Sequence, residues 1–163
     1  MVRNLRFTFL CFLFFSNFIF PYQKPNIVII VSDDLGWGDV SYHESIIPTP
    51  NIDRFVNEGI ELNRFYSNPI CSPTRASLMT GLEALSIGIL RPIGNPSTTS
   101  VGLPLEYKIL PEYFKEVGYI TSLVGKWHLG MSSEEYLPSQ RGFDTTYGFM
   151  NGGIDYFKHT MSG

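Results

Sequence analysis

Residues 26–32 (NIVIIVS) form a nearly unbroken run of mainly β-branched apolar side chains, which ends at Asp33 and Asp34. Because polar residues do not alternate with the apolar ones, the run is typical of a strand buried on both faces, as in a parallel sheet. We therefore predict a central parallel strand over residues 26–32, with the acidic pair at its carboxyl end.

Helix signals and strand signals alternate after this run. Thr49 and Pro50 supply an N-cap and a proline at the first helical position, and Gly59 is placed to end the helix. Three apolar side chains of this helix share one face: Ile52, Phe55 and Val56. A short strand is predicted to follow over residues 60–66.

The same order recurs farther along the chain. A short amphipathic helix opens at Pro111 and ends at Gly118, and a strand is predicted over residues 119–124. Residues 88–104 are rich in Gly, Pro, Ser and Thr and are predicted as a long surface loop. This alternation predicts an α/β fold with a mostly parallel central sheet and helices on both faces.

The N-terminal segment has the pattern of a secretory signal. Arg3 and Arg6 precede the almost wholly apolar residues 7–20. Because a helix that spans a bilayer needs about 20 apolar residues, we predict that residues 1–22 are a signal peptide, with a retained signal anchor as the first alternative. A buried core helix is the second alternative.

Size and charge limit the classes of partner. The chain has 163 residues, a formal charge of −3 and 44% hydrophobic residues. These values suit one domain, or part of one. Because no run of Lys and Arg offers a positive surface to a phosphate backbone, we predict no nucleic-acid partner.

Asp33 and Asp34 stand where open α/β sheets place their ligand sites, just beyond the carboxyl end of a strand. Adjacent carboxylates reach one ion only if the chain turns at once, and Gly36 and Gly38 allow that turn. Oxygen ligands favour Ca²⁺ or Mg²⁺, and the chain has no Cys/His cluster that would suggest zinc. The alternative is an ordinary polar turn after a strand.

Cys71 begins a Cys-Ser-Pro-Thr-Arg motif in which Ser72 is predicted to cap a helix, with Pro73 at its first position. Cys71 would then lie at the positive end of the helix dipole, and Arg75 could offer a planar fork of donors to an anion held there. The three residues between Cys71 and Arg75 are too few for the anion loop of a Cys-dependent phosphatase. The alternative is a structural cysteine that precedes a capped helix.

Lys126 and His128 follow the strand predicted over residues 119–124, again at the carboxyl end of a strand. Because the two residues alternate, their side chains can point to one side. The alternative is a solvated lysine beside an ordinary surface histidine.

Three ordered motifs in this sequence resemble the type I, formylglycine-dependent sulfatases of the alkaline phosphatase superfamily. Residues 33–39 (DDLGWGD) resemble the family's first metal-binding turn, and residues 71–75 (CSPTR) fit its Cys-x-Pro-x-Arg modification signature. Residues 118–130 (GYITSLVGKWHLG) fit its second signature. The similarity spans residues 24–157.

A finer resemblance points to the arylsulfatase B-like branch, which acts on N-acetylgalactosamine 4-sulfate in glycosaminoglycans. It rests on residues 141–144 (RGFD) together with Asp155 and Tyr156. By this resemblance residues 24–163 are the N-terminal part of a sulfatase catalytic domain. The product would enter the secretory pathway and be secreted or lysosomal, with membrane attachment only if the N-terminal segment is retained.

The family resemblance also implies a sulfuric ester hydrolase that cleaves sulfated sugars or aryl sulfates. A formylglycine-generating enzyme would oxidise Cys71 to formylglycine in the endoplasmic reticulum, and the aldehyde would hydrate to a geminal diol. Asp33, Asp34 and the oxygen on residue 71 would hold Ca²⁺. One hydroxyl would attack sulfur, and the other would expel sulfate as the aldehyde re-forms.

The remaining roles implied by the resemblance fall on three cationic side chains. Arg75 would steady the diol, while Lys126 and His128 would bind sulfate oxygens and help the alkoxide leave. The family draws a second Asp-Asn metal pair, a further His and a later Lys from downstream positions. We therefore expect this chain alone to be a poor catalyst.

Two rival functions stay open at the level of sequence. One is a phosphatase or phosphodiesterase of the same superfamily with a Ser or Thr nucleophile and two zinc ions, against which Cys71, Pro73 and Arg75 argue. The other is a truncated, catalytically inactive secreted binding protein that resembles a sulfatase.

Overall fold

A computed structural model describes residues 23–94 and 102–161. The chain divides into two units, residues 1–35 and residues 36–163. The signal segment predicted over residues 1–22 lies outside the described residues. Within the described ranges, no helix combines the length and the apolar character needed to cross a bilayer.

The described part of the first unit, residues 23–35, contains neither helix nor strand. Val28 is 81% exposed and Ile30 is 78% exposed. The strand predicted over residues 26–32 is therefore wrong for this structure. The physical reason is that an apolar run becomes a strand only when a neighbour completes its backbone hydrogen bonds, and the only strand pairing among the described residues lies in the second unit.

Three α-helices lie in the described part of the second unit: α1 (Pro50–Glu58), α2 (Cys71–Thr80) and α3 (Leu110–Glu116). Single 3-10 turns occur at Trp37–Asp39, Ser41–His43, Glu134–Tyr136 and Pro138–Gln140. As predicted, α1 has Thr49 at its N-cap, a proline in its first turn and Gly59 at its C-cap. The Thr49 hydroxyl does not cap the helix but accepts a hydrogen bond from the Ser41 amide at 2.8 Å.

Two parallel strands, β1 (Ser122–Lys126) and β2 (Thr145–Phe149), form the sheet of the described residues. Gly125 and Gly148 face each other in the fourth of the five residue pairs of this register. A side chain at Gly148 would overlap the backbone of Gly125, so the close approach of the two strands requires glycine there. The parallel pairing agrees with the α/β expectation.

The core of this unit lies around the carboxyl end of β1. Its largest fully buried side chains include Trp127, Leu103, Ile109 and Leu129. The Trp127 ring meets the Phe143 ring edge to face, with the centroids 6.0 Å apart. The residues immediately after β1 are therefore among the most deeply packed in the described structure.

Two strand boundaries differ from the prediction. Residues 60–66 contain a turn and no strand, with Ile60 89% exposed. The strand predicted over residues 119–124 begins later, at Ser122, and extends to Lys126. Strand β2 was not predicted, because its sequence TTYGF is short and contains Gly and Thr rather than an apolar run.

Candidate active site at the start of helix α2

Cys71 is the first residue of α2, and the preceding Ile70 has the extended backbone of an N-cap. The helix therefore begins two residues earlier than the Ser-Pro signal predicted. Cys71 still lies in the first turn, where amide groups without partners within the helix give the helix end a partial positive charge. An anion close to residue 71 would be stabilised by this end of α2.

Ser72 does not cap the helix, contrary to the prediction. Its side chain is fully buried, and its hydroxyl donates to the carbonyl oxygen of His128 at 2.8 Å. The same hydroxyl accepts a hydrogen bond from the Ile93 amide at 3.0 Å. Ser72 thus joins the start of α2 to two segments that are distant in sequence.

Arg75 makes a second link between α2 and the end of β1. One of its guanidinium nitrogens, Nη1, donates to the carbonyl oxygen of Lys126 at 2.6 Å. Together with the Ser72 bond, this contact places the first turn of α2 beside residues 126–128. The bonds use the backbone oxygens of Lys126 and His128 and do not involve their side chains.

The backbone of residues 127 and 128 is also bonded to the end of β2 and to the residue that follows it. The amides of Trp127 and His128 donate to the carbonyl oxygens of Phe149 and Met150 at 2.9 and 3.0 Å. The indole Nε1 of Trp127 donates to the backbone oxygens of Gly130 and Tyr136 at 3.1 and 3.0 Å. Hydrogen bonds within the chain thus fix Trp127 and the backbone of His128.

His128 itself is 5% exposed and has a backbone φ of 56°. This left-handed conformation is uncommon for residues other than glycine, although histidine is among those enriched there. Such a backbone persists only where its surroundings enforce it, and here hydrogen bonds hold both the amide and the carbonyl group of His128.

These hydrogen bonds place the start of α2, which contains Cys71 and Arg75, beside the backbone of Lys126 and His128. Asp33 and Asp34 lie in the first unit. The convergence of all six residues in one pocket stays a prediction.

Asp33 and Asp34 occupy a bend, and Asp34 has a φ of 59°. This is the immediate turn that two adjacent carboxylates need in order to reach one ion. Both residues are exposed, and their hard oxygen donors suit Ca²⁺. Among the described residues no group of three or more His, Cys, Asp or Glu is placed to hold a metal ion, and the calcium role of Asp33 and Asp34 stays a prediction.

Arg141 supports the segment that follows β1, a role that its place in the sequence did not indicate. It is 3% exposed, and its guanidinium donates to the backbone oxygens of Leu103 and Tyr107 at 3.1 and 2.8 Å. Burial lowers the pKa of Arg141, while Glu112 and Tyr136 act in the opposite direction. The Leu103 amide in turn donates to the carbonyl oxygen of Leu129 at 2.7 Å, which extends the support to the residue after His128.

Comparison with known proteins places this arrangement in context. The family model for sulfatases matches residues 25–162. Arylsulfatase J of Mus musculus is 42% identical over 137 residues, which cover 84% of this chain and 23% of that protein. N-acetylgalactosamine-6-sulfatase of Homo sapiens is 41% identical over 137 residues, which cover 79% of this chain and 26% of that protein.

A solved structure shows the same relationship in three dimensions. Ps i-CgsB in complex with k-i-k-neocarrahexaose has a TM-score of 0.69 and 39% sequence identity to this chain, covering 83% of it and 30% of the other chain. This likeness confirms the predicted α/β fold class. The chain spans about a quarter of the length of the curated relatives that it matches.

Proposed function

The chain belongs to the sulfatase family, and from that premise we propose that it carries the nucleophile and part of the sulfate site of a sulfuric ester hydrolase. The nucleophile would be a formylglycine made from Cys71. Residues 24–163 would be the N-terminal part of the catalytic domain. The observation that carries the proposal is the pair of hydrogen bonds that places the start of α2 against residues 126–128.

The charges around residue 71 suit a sulfate group. The N-terminal end of α2 favours an anion, and Arg75 lies one turn into the same helix. Lys126 and His128 are carried by the adjoining segment, which the helix holds in place. No acidic residue occurs within α2, so no carboxylate in this helix opposes an anion at its start.

We assign distinct roles to these side chains. Hydrated formylglycine supplies a hydroxyl nucleophile, and its aldehyde can re-form when sulfate leaves. Arg75 orients residue 71 from within the same helix, while its bond to the Lys126 carbonyl limits its own movement. Lys126 and His128 donate to sulfate oxygens, and one of them gives a proton to the departing alkoxide.

Asp33 and Asp34 would provide carboxylate ligands to Ca²⁺. When bound, the ion would supply positive charge that stabilises the sulfate oxygens and lowers the pKa of the diol, which favours the deprotonated form of the nucleophile. The bend at these residues supports this role, because it allows adjacent carboxylates to face one cation. Further ligands would have to come from other residues, since calcium binds six or more oxygens.

A sulfated sugar is the proposed substrate class. One relative is named an N-acetylgalactosamine-6-sulfatase, and one similar structure was solved with a neocarrahexaose. These names support a sugar and leave the sulfate position open. We therefore propose two candidate substrates, the N-acetylgalactosamine 4-sulfate suggested by the sequence and the corresponding 6-sulfate. A direct comparison of the two as substrates would decide between them.

Maturation would take place in the secretory pathway. Formation of the aldehyde requires oxidation of the Cys71 β-carbon and departure of its sulfur, so a formylglycine-generating enzyme and an external oxidant must act on the chain. The mature product would be secreted or lysosomal.

The test of this proposal is the chemical state of residue 71. The chain would be coexpressed with a formylglycine-generating enzyme, and the tryptic peptide that contains residue 71 would be analysed by mass spectrometry after capture with a hydrazide. We expect a sulfur-free peptide that forms a hydrazone. Cys71→Ala supplies the control, because its peptide can form no aldehyde.

An unmodified thiol at residue 71 after successful coexpression would contradict the proposed nucleophile. A second measurement tests calcium binding separately. Calcium would be titrated by calorimetry into the chain and into its Asp33→Asn, Asp34→Asn double variant. We expect the double variant to lose the binding of the starting chain, and equal binding by the two would remove these carboxylates from the metal site.

A further inference from the structure

Two consecutive glycines after β2 have different surroundings. A β-carbon built at Gly152 would lie 2.8 Å from Cε1 and 3.0 Å from Nε2 of the His128 imidazole. A β-carbon built at Gly153 would have nothing within 4 Å. The His128 ring thus occupies the space that a side chain at position 152 would need.

The imidazole is the part of His128 that can respond to such a side chain. Its backbone is fixed on both sides, because its amide donates to Met150 at 3.0 Å and its carbonyl oxygen accepts from Ser72 at 2.8 Å. The ring turns about two side-chain torsions and can move at lower cost than the packed backbone around it. Neither Gly152 nor Gly153 has a positive φ, so both positions admit an L side chain conformationally.

From this contact we infer that Gly152 is a positioning residue for His128: its missing side chain lets the imidazole lie against the backbone after β2, in the orientation that would meet sulfate. The inference rests on the proposed role of His128 in sulfate binding. A methyl group at position 152 displaces the ring while leaving its backbone hydrogen bonds in place. A methyl group at position 153 displaces nothing.

The experiment compares the whole chain with its Gly152→Ala and Gly153→Ala variants by two-dimensional ¹H–¹³C NMR of the histidine Cε1–H groups. The chain has three histidines, and the spectrum of His128→Gln identifies the signal of His128. We expect Gly152→Ala to shift this signal and Gly153→Ala to leave it in place. Superimposable His128 signals in the starting chain and Gly152→Ala would overturn the inference.

Titration with inorganic sulfate then separates this inference from the proposed function. We expect the half-saturating sulfate concentration, followed at His128, to be about tenfold higher in Gly152→Ala, because losing one hydrogen bond to a charged group weakens binding by about that factor. It should be unchanged in Gly153→Ala. Equal sulfate affinity in all three proteins would overturn the positioning role. If sulfate moves the His128 signal in none of them, the proposed sulfate site fails, while the sulfate-free spectra still decide whether Gly152 orients the ring.

A double variant keeps the inference testable if Gly152→Ala does not fold. In Gly152→Ala combined with His128→Ala, no imidazole meets the added methyl group. We expect the double variant to melt at the same temperature as His128→Ala alone. A further loss of stability in the double variant would show that the methyl group clashes with something other than the ring, and the inference would fall.

Discussion

The two ends of the β1–β2 sheet are held by different kinds of hydrogen bond. At the amino end the Asp144 carboxylate accepts from the Thr121 amide at 2.9 Å and pairs with the Lys115 ammonium at 2.8 Å. At the carboxyl end the accepting groups are the backbone carbonyls of Lys126 and His128. At the amino end the residue that precedes β2 therefore contributes an ionised side chain, whereas at the carboxyl end the bonds from α2 are accepted by backbone oxygens of residues 126 and 128.

This difference separates residues that hold the fold from residues that we assign to chemistry. A carboxylate engaged by a lysine and a backbone amide contributes to stability in a way that depends on pH. A segment held through its carbonyl groups can present different side chains without changing those bonds. The comparison predicts that substitutions at the carboxyl end change activity more than stability, and that the reverse holds at the amino end.

The largest expected effect is on turnover. In a preparation that carries formylglycine at residue 71 and hydrolyses an aryl sulfate, we expect Cys71→Ala to abolish turnover. Lys126→Ala and His128→Ala should each lower kcat by about 10²-fold or more, which is the usual loss for a positioned proton donor or oxyanion donor. Steady-state hydrolysis assays with each variant would measure these effects.

A lysine at the opposite end of the sheet provides the matched control. Lys115 pairs with Asp144, and its side chain is 45% exposed. We expect Lys115→Ala to retain kcat within about twofold, because removing an exposed ion pair costs little. A loss of kcat in Lys115→Ala as large as in Lys126→Ala would break the distinction between the two ends.

The next effect in size concerns stability at the carboxyl end, where the Ser72 side chain holds the backbone of His128. Ser72→Ala removes the hydroxyl that serves both the His128 carbonyl and the Ile93 amide in a fully buried site. Because buried polar groups would lose their partner, we expect a loss of about 1–3 kcal/mol in the free energy of unfolding, measured by urea denaturation.

Ser86→Ala is the control for this substitution. Its hydroxyl also donates to a backbone oxygen, that of Glu83 at 2.7 Å, but the site is exposed and water can replace the bond. We expect a change within about 0.5 kcal/mol, as for most surface substitutions. Equal losses for Ser72→Ala and Ser86→Ala would mean that the link between α2 and His128 contributes little.

Local signals in the sequence predicted several elements of the second unit. The Pro and Gly signals located α1 and α3, and the Cys-x-Pro-x-Arg motif singled out Cys71 and Arg75, whose roles in the site stay proposals. These features depend on residues close together in the chain. The α/β class followed from the order of such elements.

The remaining features depend on contacts between distant residues, which a local pattern does not specify. Residues 26–32 have the stronger apolar run, yet β1, with a glycine and a lysine, is the segment that forms a strand, because β2 pairs with it. Ser72 was predicted as a cap from its neighbours, but its partners are residues 93 and 128. The role inferred for Gly152 could not be recognised from the sequence, because it depends on contact with the imidazole of His128, which follows a different strand.

The smallest predicted effect concerns the amino end of the sheet and its dependence on pH. The Lys115 ammonium, together with hydrogen bonds from the Thr121 amide and hydroxyl, lowers the pKa of Asp144 from 3.8 to about 2. A carboxyl group whose pKa is lower in the folded state stabilises the fold above its unfolded pKa, and that contribution is lost as pH falls through the folded pKa. Asp144 should therefore contribute fully above about pH 5, progressively less between pH 4 and 2, and nothing below that range.

Thermal unfolding of the chain and of Asp144→Asn across this range would measure the effect as a difference in Tm. We expect the difference to be constant near neutral pH, smaller than the effect of Ser72→Ala, and to shrink as pH falls from about 4 to about 2, because the wild-type carboxylate becomes protonated while the asparagine does not titrate. Lys115→Met sharpens the test: the lysine is the largest cause of the lowered pKa of Asp144, so its removal should move the loss of stability to higher pH. A Tm difference that does not vary with pH would show that the charge of Asp144 is not what holds the amino end, and the contrast between an ionic end and a backbone-anchored end would then fail.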